Sequence, residues 1–319
     1  MNNLIAIISG EPNSINSEII AKAWKKKKKL KNFFIVGNYS ILQKQFNRLG
    51  IKIPVIKIIK VEDFEKKEKL FVLDVPLKFT SIFNVKYSET KTYILRCLDI
   101  AHSLAKNKKI LGFINSPIDK RVFNKEYLGV TEYLSKKNKC NEKEVMMIHN
   151  KELSVVPLTT HIDIKNVTNK INFNLIKRKI ITLNKSYFKL FKRKPKIAIL
   201  GLNPHNSENE IQSIENKVIK PAVVKLNKLK INIKGPFPAD TAFNKENIVS
   251  YDVIVGMYHD QVLGPFKALY GYNAINLTLG LKYLRLSPDH GIAQDIIGQD
   301  KASPQSLIFA INFLNKVND

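Results

Sequence analysis

The chain has 319 residues, 44% of them hydrophobic, and a formal charge of +26. It is long enough to bury a sizeable core in two lobes or one large α/β domain, and it contains no apolar run long enough to span a bilayer and no signal peptide, so a soluble, cytoplasmic protein is expected. Only six of its 53 basic residues are Arg and the 47 Lys are spread along the whole chain, which argues against a nucleic-acid interface built on Arg forks and in favour of attraction of small anions.

Apolar and helix-like segments alternate. The predicted strands are LIAIIS (4–9), FFIVGN (33–38), IPVIKII (53–59), ILGFINS (110–116), VMMIH (145–149), SVVPLTT (154–160), IAILGL (197–202), VIVGMY (253–258) and AINLTL (274–279). SEIIAKA leads into WKKKKKLK (Trp24 to Lys31), which reads as the exposed end of an amphipathic helix whose cations suit the C-terminal dipole. Helices are also expected over SETKTYILRCLDIAHSLAKN (88–107), within TNKINFNLIKRKIITLNKSYFKLFKRK (168–194), over IENKVIKPAVVKLNKL (214–229) and over IAQDIIG (292–298), the last with Ser287 or Asp289 as caps. This is α/β grammar with a mostly parallel, mixed sheet. The two cysteines, Cys97 and Cys140, are too few for a disulfide framework and lack metal-ligand spacing.

Three apolar runs end in histidine: LSVVPLTTH at His161, IAILGLNPH at His205 and YDVIVGMYH at His259. If the sheet is mostly parallel, strand ends share one edge, where open α/β sheets bind ligands. Three neutral imidazoles with an open position form a ligand set for Zn²⁺ or a similar divalent ion. The alternative is three hydrogen-bonded structural histidines in turns, since the separations match no local metal motif. His102 and His149 are expected to be structural or surface residues, and His290 to orient its neighbours. Downstream, Lys267, Asn276 and Arg285 supply cationic and polar groups at turn-like positions. Arg285 stands out because Arg is scarce, and its fork suits a carboxylate or phosphate. No G-x-G-x-x-G occurs in the chain.

GEPNSINSEI (10–19), VMMIHNKELSVVPLTTHI (145–162), GLNPH (201–205), GPFPADTAF (235–243), GMYHDQ (256–261) and NLTLGLKYLRLSPDHGIAQDIIG (276–298) together resemble the 4-hydroxythreonine-4-phosphate dehydrogenase family of vitamin B6 biosynthesis, in order from Gly10 to about Leu307. The resemblance implies a two-lobed isocitrate/isopropylmalate dehydrogenase-like α/β fold. In it, 1–125 with 293–319 form the first lobe and 126–292 the second, which carries the metal ligands and dimer contacts. It further implies a homodimer with the active site in the cleft between lobes at the subunit interface. One divalent metal (Zn, Mg, Co or Mn) would be held by His161, His205 and His259 from both chains. Thr131, Lys267, Asn276 and Arg285 would contact substrate, and Asp240 would lie near the metal from the partner. NAD or NADP would bind without the glycine fingerprint. The implied reaction oxidises 4-phosphooxy-L-threonine at the C3 hydroxyl and decarboxylates the product to 3-amino-2-oxopropyl phosphate. No catalytic base is assigned.

The sequence departs from the family pattern at three places. Val130 stands where the family has His before Thr131, Ser14 and Asn16 occupy usual glycine positions, and NSENE follows His205 in place of a glycine-rich AGEGG. Two other readings therefore accompany the first: a dehydrogenase of another phosphorylated hydroxy acid, such as 4-phosphoerythronate or threonate 4-phosphate, and a non-catalytic metal- or nucleic-acid-binding protein on an old enzyme scaffold.

Overall fold

The computed structural model describes residues 4–26, 32–65, 68–123, 126–140 and 143–318. Twelve strands occur among them: β1 (Ile5–Ile8), β2 (Phe33–Gly37), β3 (Val55–Ile58), β4 (Leu70–Asp74), β5 (Gly112–Asn115), β6 (Val145–His149), β7 (Ser154–Pro157), β8 (Ile197–Leu200), β9 (Ile233–Phe237), β10 (Val253–Gly256), β11 (Ile275–Leu279) and β12 (Leu284–Pro288). The chain divides into two compact units, Met1–Leu134 with Lys282–Asp319, and Ser135–Leu281. Residues 126–134 and 282–292 thus pack with the first unit.

In the first unit the strand order is β3-β4-β2-β1-β5-β12, and every pair is parallel. Parallel strands are covered on both faces and so read as unbroken apolar runs. β1, IAII, is buried at every residue, and β2, FFIVG, likewise. In the second unit the order is β11-β6-β7-β10-β8-β9. Here β6 runs antiparallel to both β11 and β7, while β7, β10, β8 and β9 run parallel. The expected mostly parallel, mixed α/β arrangement is the one found.

The nine expected strands are present. Three more were not visible in the sequence. β9 contains Gly235 and Pro236, which weaken a strand signal, and it is tolerated because it is the edge strand. β12 is interrupted by the buried Arg285, and β4 directly follows the charged stretch EDFEKKEK (62–69). The helix Phe173–Phe191 forms because Ile176, Ile180, Leu183, Tyr187 and Leu190 repeat at three- and four-residue spacing and face the core. Its first turn is capped by Asn172, which accepts from the Leu175 amide at 2.9 Å, and Lys192 closes it in the left-handed conformation. The stretch 292–298 is not an α-helix. It holds only a 3₁₀ turn, Gln294–Ile296, entered through Ala293 at φ 44°, and neither Ser287 nor Asp289 caps it. The Asp289 amide instead donates to Ser306 Oγ at 2.9 Å. The helix Asn16–Lys25 carries the start of the lysine run, whereas residues 27–31 lie outside the described residues.

Both cysteines are buried and unbridged, and burial pushes the Cys97 thiol up. His102 bonds Tyr283 through Nδ1 at 2.7 Å. His149 ends β6, as the run VMMIH predicts. It is 8% exposed, contacts Ser154 Oγ at 2.9 Å through Nδ1, and lies against the Phe191 ring. No helix among the described residues is long and apolar enough to cross a membrane.

Burial depresses the His149 pKa from 6.5 to about 4. The unfolded chain binds this proton near 6.5 and the folded chain does not, so its contribution is complete above pH 6.5 and is lost as pH falls toward 4. Urea unfolding should show the native protein losing about 3 kcal/mol more than His149→Gln between pH 7 and pH 4. Parallel pH dependence of the two proteins would contradict this.

Candidate active site

Because β10 lies between β7 and β8 and all three are parallel, the segments leaving them emerge on one edge of the second unit. The chain beyond β7 continues to pair with the chain beyond β10. Leu158 N donates to Gly256 O at 2.8 Å, Thr159 N to Met257 O at 3.2 Å, and Thr159 Oγ1 to the same carbonyl at 2.7 Å. This extension carries His161 to His259, and their rings lie 5.8 Å apart between centroids at an interplanar angle of 37°. Metal–nitrogen bonds of about 2.0–2.1 Å place two ring centres on one tetrahedral ion roughly 5 Å apart. The pair therefore fits two ligands of a single divalent ion. His161 is exposed and left-handed at φ 52°; His259 is half-buried, begins the helix His259–Tyr270 and contacts Asp260 Oδ1 through Nδ1 at 2.6 Å.

His205 leaves the same edge, five residues beyond β8, and is exposed. Among the described residues no group of three His, Cys, Asp or Glu side chains is close enough to hold a metal. The structure thus brings two of the three expected histidines together within one chain. Asp240 lies exposed in the segment after β9.

The turn carrying His205 is left-handed over four successive residues. His205, Asn206, Ser207 and Glu208 have φ between 47° and 56°, a conformation that costs an L-residue about 1–2 kcal/mol. No glycine relieves this run, so tertiary contacts must hold it. Asn206 Nδ2 donates to Pro236 O at 3.0 Å, and Ser207 Oγ donates to Glu215 Oε2 at 3.1 Å. Glu215 also accepts from the amides of Leu202 and Asn203, each at 2.8 Å. Burial pushes its pKa up, but these hydrogen bonds outweigh burial and leave it below the ordinary value. A Cβ on Gly201 would push against the Asn206 side chain, whose Nδ2 holds Pro236 O.

The first loop behaves differently. Ser14 and Asn16 have ordinary backbone angles, and only Gly10, at φ 73°, takes a positive φ in that turn. Asn16 Nδ2 donates to Pro117 O at 2.8 Å, so glycine is not needed at these two positions.

In the first unit Arg285 projects from β12, is 4% exposed, and donates from Nε to Asn115 Oδ1 at 2.7 Å and from Nη1 to Thr131 Oγ1 at 3.2 Å. Burial lowers its pKa to about 10 while the nearby Glu132 carboxylate opposes the shift, so it stays charged at neutral pH. Thr131 belongs to the helix that begins at Val130, which is half-buried. In the second unit Lys267 Nζ lies 4.7 Å from the Tyr272 ring centre. Asn276, on β11, has a buried Oδ1 with no hydrogen-bond partner, an acceptor that a ligand would satisfy. His290 contacts its neighbour's carbonyl, Gly291 O, at 3.0 Å through Nδ1.

The family described as pyridoxal phosphate biosynthetic protein PdxA matches residues 29–314. The chain belongs to the PdxA family. A relative from Sulfurihydrogenibium sp., named 4-hydroxythreonine-4-phosphate dehydrogenase, is 37% identical over 317 residues, covering 96% of each chain. The crystal structure of 4-hydroxythreonine-4-phosphate dehydrogenase from Klebsiella pneumoniae superposes with a TM-score of 0.87 at 27% identity, covering 99% of this chain and all of that one. A β-decarboxylating dehydrogenase from Thermococcus kodakarensis shares the fold at a TM-score of 0.54 and 11% identity. The chain is an oxidoreductase of the PdxA family, with a mostly parallel, mixed α/β fold.

Two residues of this PdxA chain that sequence reasoning did not single out organise the edge. Besides Glu215, Gln261 accepts from Met257 N and donates to Gly201 O, both at 2.7 Å, and so ties the segment of His259 to that of His205. Its place in GMYHDQ was the available signal. Gln261→Leu leaves both backbone groups without this partner and should cost about 2 kcal/mol in urea unfolding, against less than about 0.5 kcal/mol for Asp260→Ala on the exposed neighbour. Equal stability of the two variants would contradict the bridge.

Proposed function

We propose that this PdxA enzyme oxidises 4-phosphooxy-L-threonine at its C3 hydroxyl with NAD⁺ or NADP⁺ and releases CO₂, forming 3-amino-2-oxopropyl phosphate. The observation that carries the proposal is the meeting of the His161 and His259 imidazoles on the carboxyl edge of β7 and β10. His161, His205 and His259 would hold one divalent ion. Three imidazole donors favour Zn²⁺, and Mg²⁺, Mn²⁺ and Co²⁺ are the alternatives. Bound there, such an ion supplies Lewis-acid polarisation of the substrate hydroxyl.

The protein's own groups bind and orient. Arg285 is held by Asn115 and by Thr131, a buried guanidinium whose fork suits a phosphate or carboxylate. Lys267 adds a second cation, and the orphaned Oδ1 of Asn276 accepts from a substrate amine or hydroxyl. Once C3 is a ketone, the β-carboxylate departs as CO₂ because the carbonyl takes up the electron pair. Family resemblance supplies the remaining part: a homodimer in which both chains contribute to the metal site, with Asp240 near it.

Val130 favours a second reading. Its side chain offers no hydrogen bond where the family pattern has an imidazole, and loss of one such donor can redirect specificity. A related acid, 4-phosphoerythronate or threonate 4-phosphate, would then be the substrate.

NAD(P)H formation with these three substrates, before and after chelation and metal re-supply, separates the readings. The expected result is metal-restored turnover with 4-phosphooxy-L-threonine, and a fall in kcat/KM of about 100-fold in Arg285→Lys, which keeps the charge and loses the fork. Turnover only with another acid would select the second reading. Metal-independent behaviour and no turnover with any of them would sink both.

A further inference from the structure

We propose that Glu215 is a positioning residue for His205. Its buried carboxylate clamps the glycine-free left-handed turn that presents this imidazole. The inference rests on the reading of His205 as a metal ligand given above.

The contacts lie on both sides of His205. On the N-terminal side, Oε1 accepts from the amides of Leu202 and Asn203, and Asn203 Nδ2 reaches Oε1 at 3.3 Å and Oε2 at 3.2 Å. On the C-terminal side Oε2 accepts from Ser207 Oγ. One carboxylate therefore joins residues two before, three before and two after His205, and fixes the backbone that lies between them. Glu215 is itself immobilised: it is 0% exposed and opens the π-helical turn Glu215–Ile219, packed so closely that a Cβ on Gly201 would lie 3.4 Å from its Cγ.

The clamp is needed because of what the turn is made of. Asn tolerates a positive φ, whereas Ser207 and Glu208, at φ 53° and 48°, have no intrinsic preference for it. A backbone in that state persists only where its surroundings over-determine it. All the groups aimed at Glu215 are N–H or O–H donors, so an acceptor-only anion satisfies every one. A glutamine would turn an amide N–H₂ toward Asn203 Nδ2 or the backbone amides, donor against donor.

The full-length protein tests this with Glu215→Gln, an isosteric change that keeps the packing, and with Glu215→Ala. Hydrogen exchange of the amides of residues 202–208 and Zn²⁺ affinity, by competition with a chromogenic chelator, are the readouts. We expect exchange in that segment to rise at least about tenfold while the amides of β8 and β10 are unchanged, and Zn²⁺ affinity to weaken about 10- to 100-fold. Glycine at both 207 and 208 in the Glu215→Ala background should recover part of the affinity, because glycine enters the left-handed region without cost. Unaltered exchange and affinity in Glu215→Gln would overturn the proposal, as would raised exchange with undiminished affinity. Unchanged Zn²⁺ affinity in His205→Ala would instead overturn the reading of His205 as a ligand, and the exchange data would still judge the clamp.

Discussion

Parallel pairing of β10 between β7 and β8 is the constraint on which the second unit's chemistry depends. Parallel neighbours must release their chains on the same side, so three distant stretches of sequence share an edge. The pairing does not stop at the strand ends. Main-chain bonds from Leu158 and Thr159 to Gly256 and Met257 continue it, and this extension is what brings the rings of His161 and His259 to 5.8 Å.

Buried ionised groups do the positioning in both units, and each is held by hydrogen bonds to its neighbours. Arg285 is held by Asn115 and Thr131, and Glu215 by four donor groups on Leu202, Asn203 and Ser207. A charge out of water is tolerated only under such conditions. A side chain fixed in this way loses little further entropy when it meets a ligand, and that is the advantage of building an anion or metal site on it. Gln261 performs the same service with a neutral amide, using its oxygen on one segment and its nitrogen on the next.

The two loops that lack the family's glycines show that composition and conformation must be separated. At Ser14 and Asn16 the backbone is ordinary, so side chains replace glycine without strain, and Asn16 adds a bond to Pro117 O. At 205–208 the left-handed conformation is kept although no glycine is there. The same kind of substitution is therefore neutral in one place and dependent on a remote carboxylate in the other.

Apolar runs such as IAII and VIVG determined their own strands, and the three-and-four spacing of Ile176, Ile180, Leu183 and Tyr187 determined its helix, because burial of one face is a local property of the chain. The strand-then-histidine pattern likewise marked His161, His205 and His259, and the motifs around them marked the family. The edge strand β9 with its Gly-Pro and the strand β12 with its buried Arg285 were hidden, since what stabilises each is supplied by neighbours far away in sequence. Which two imidazoles meet, the orphaned acceptor on Asn276, and the roles of Glu215 and Gln261 were decided only by the tertiary structure. The His161–His259 meeting and the Gln261 bridge to Gly201 join segments tens of residues apart, and strand order and register, which no local pattern encodes, set the distance across which these side chains act.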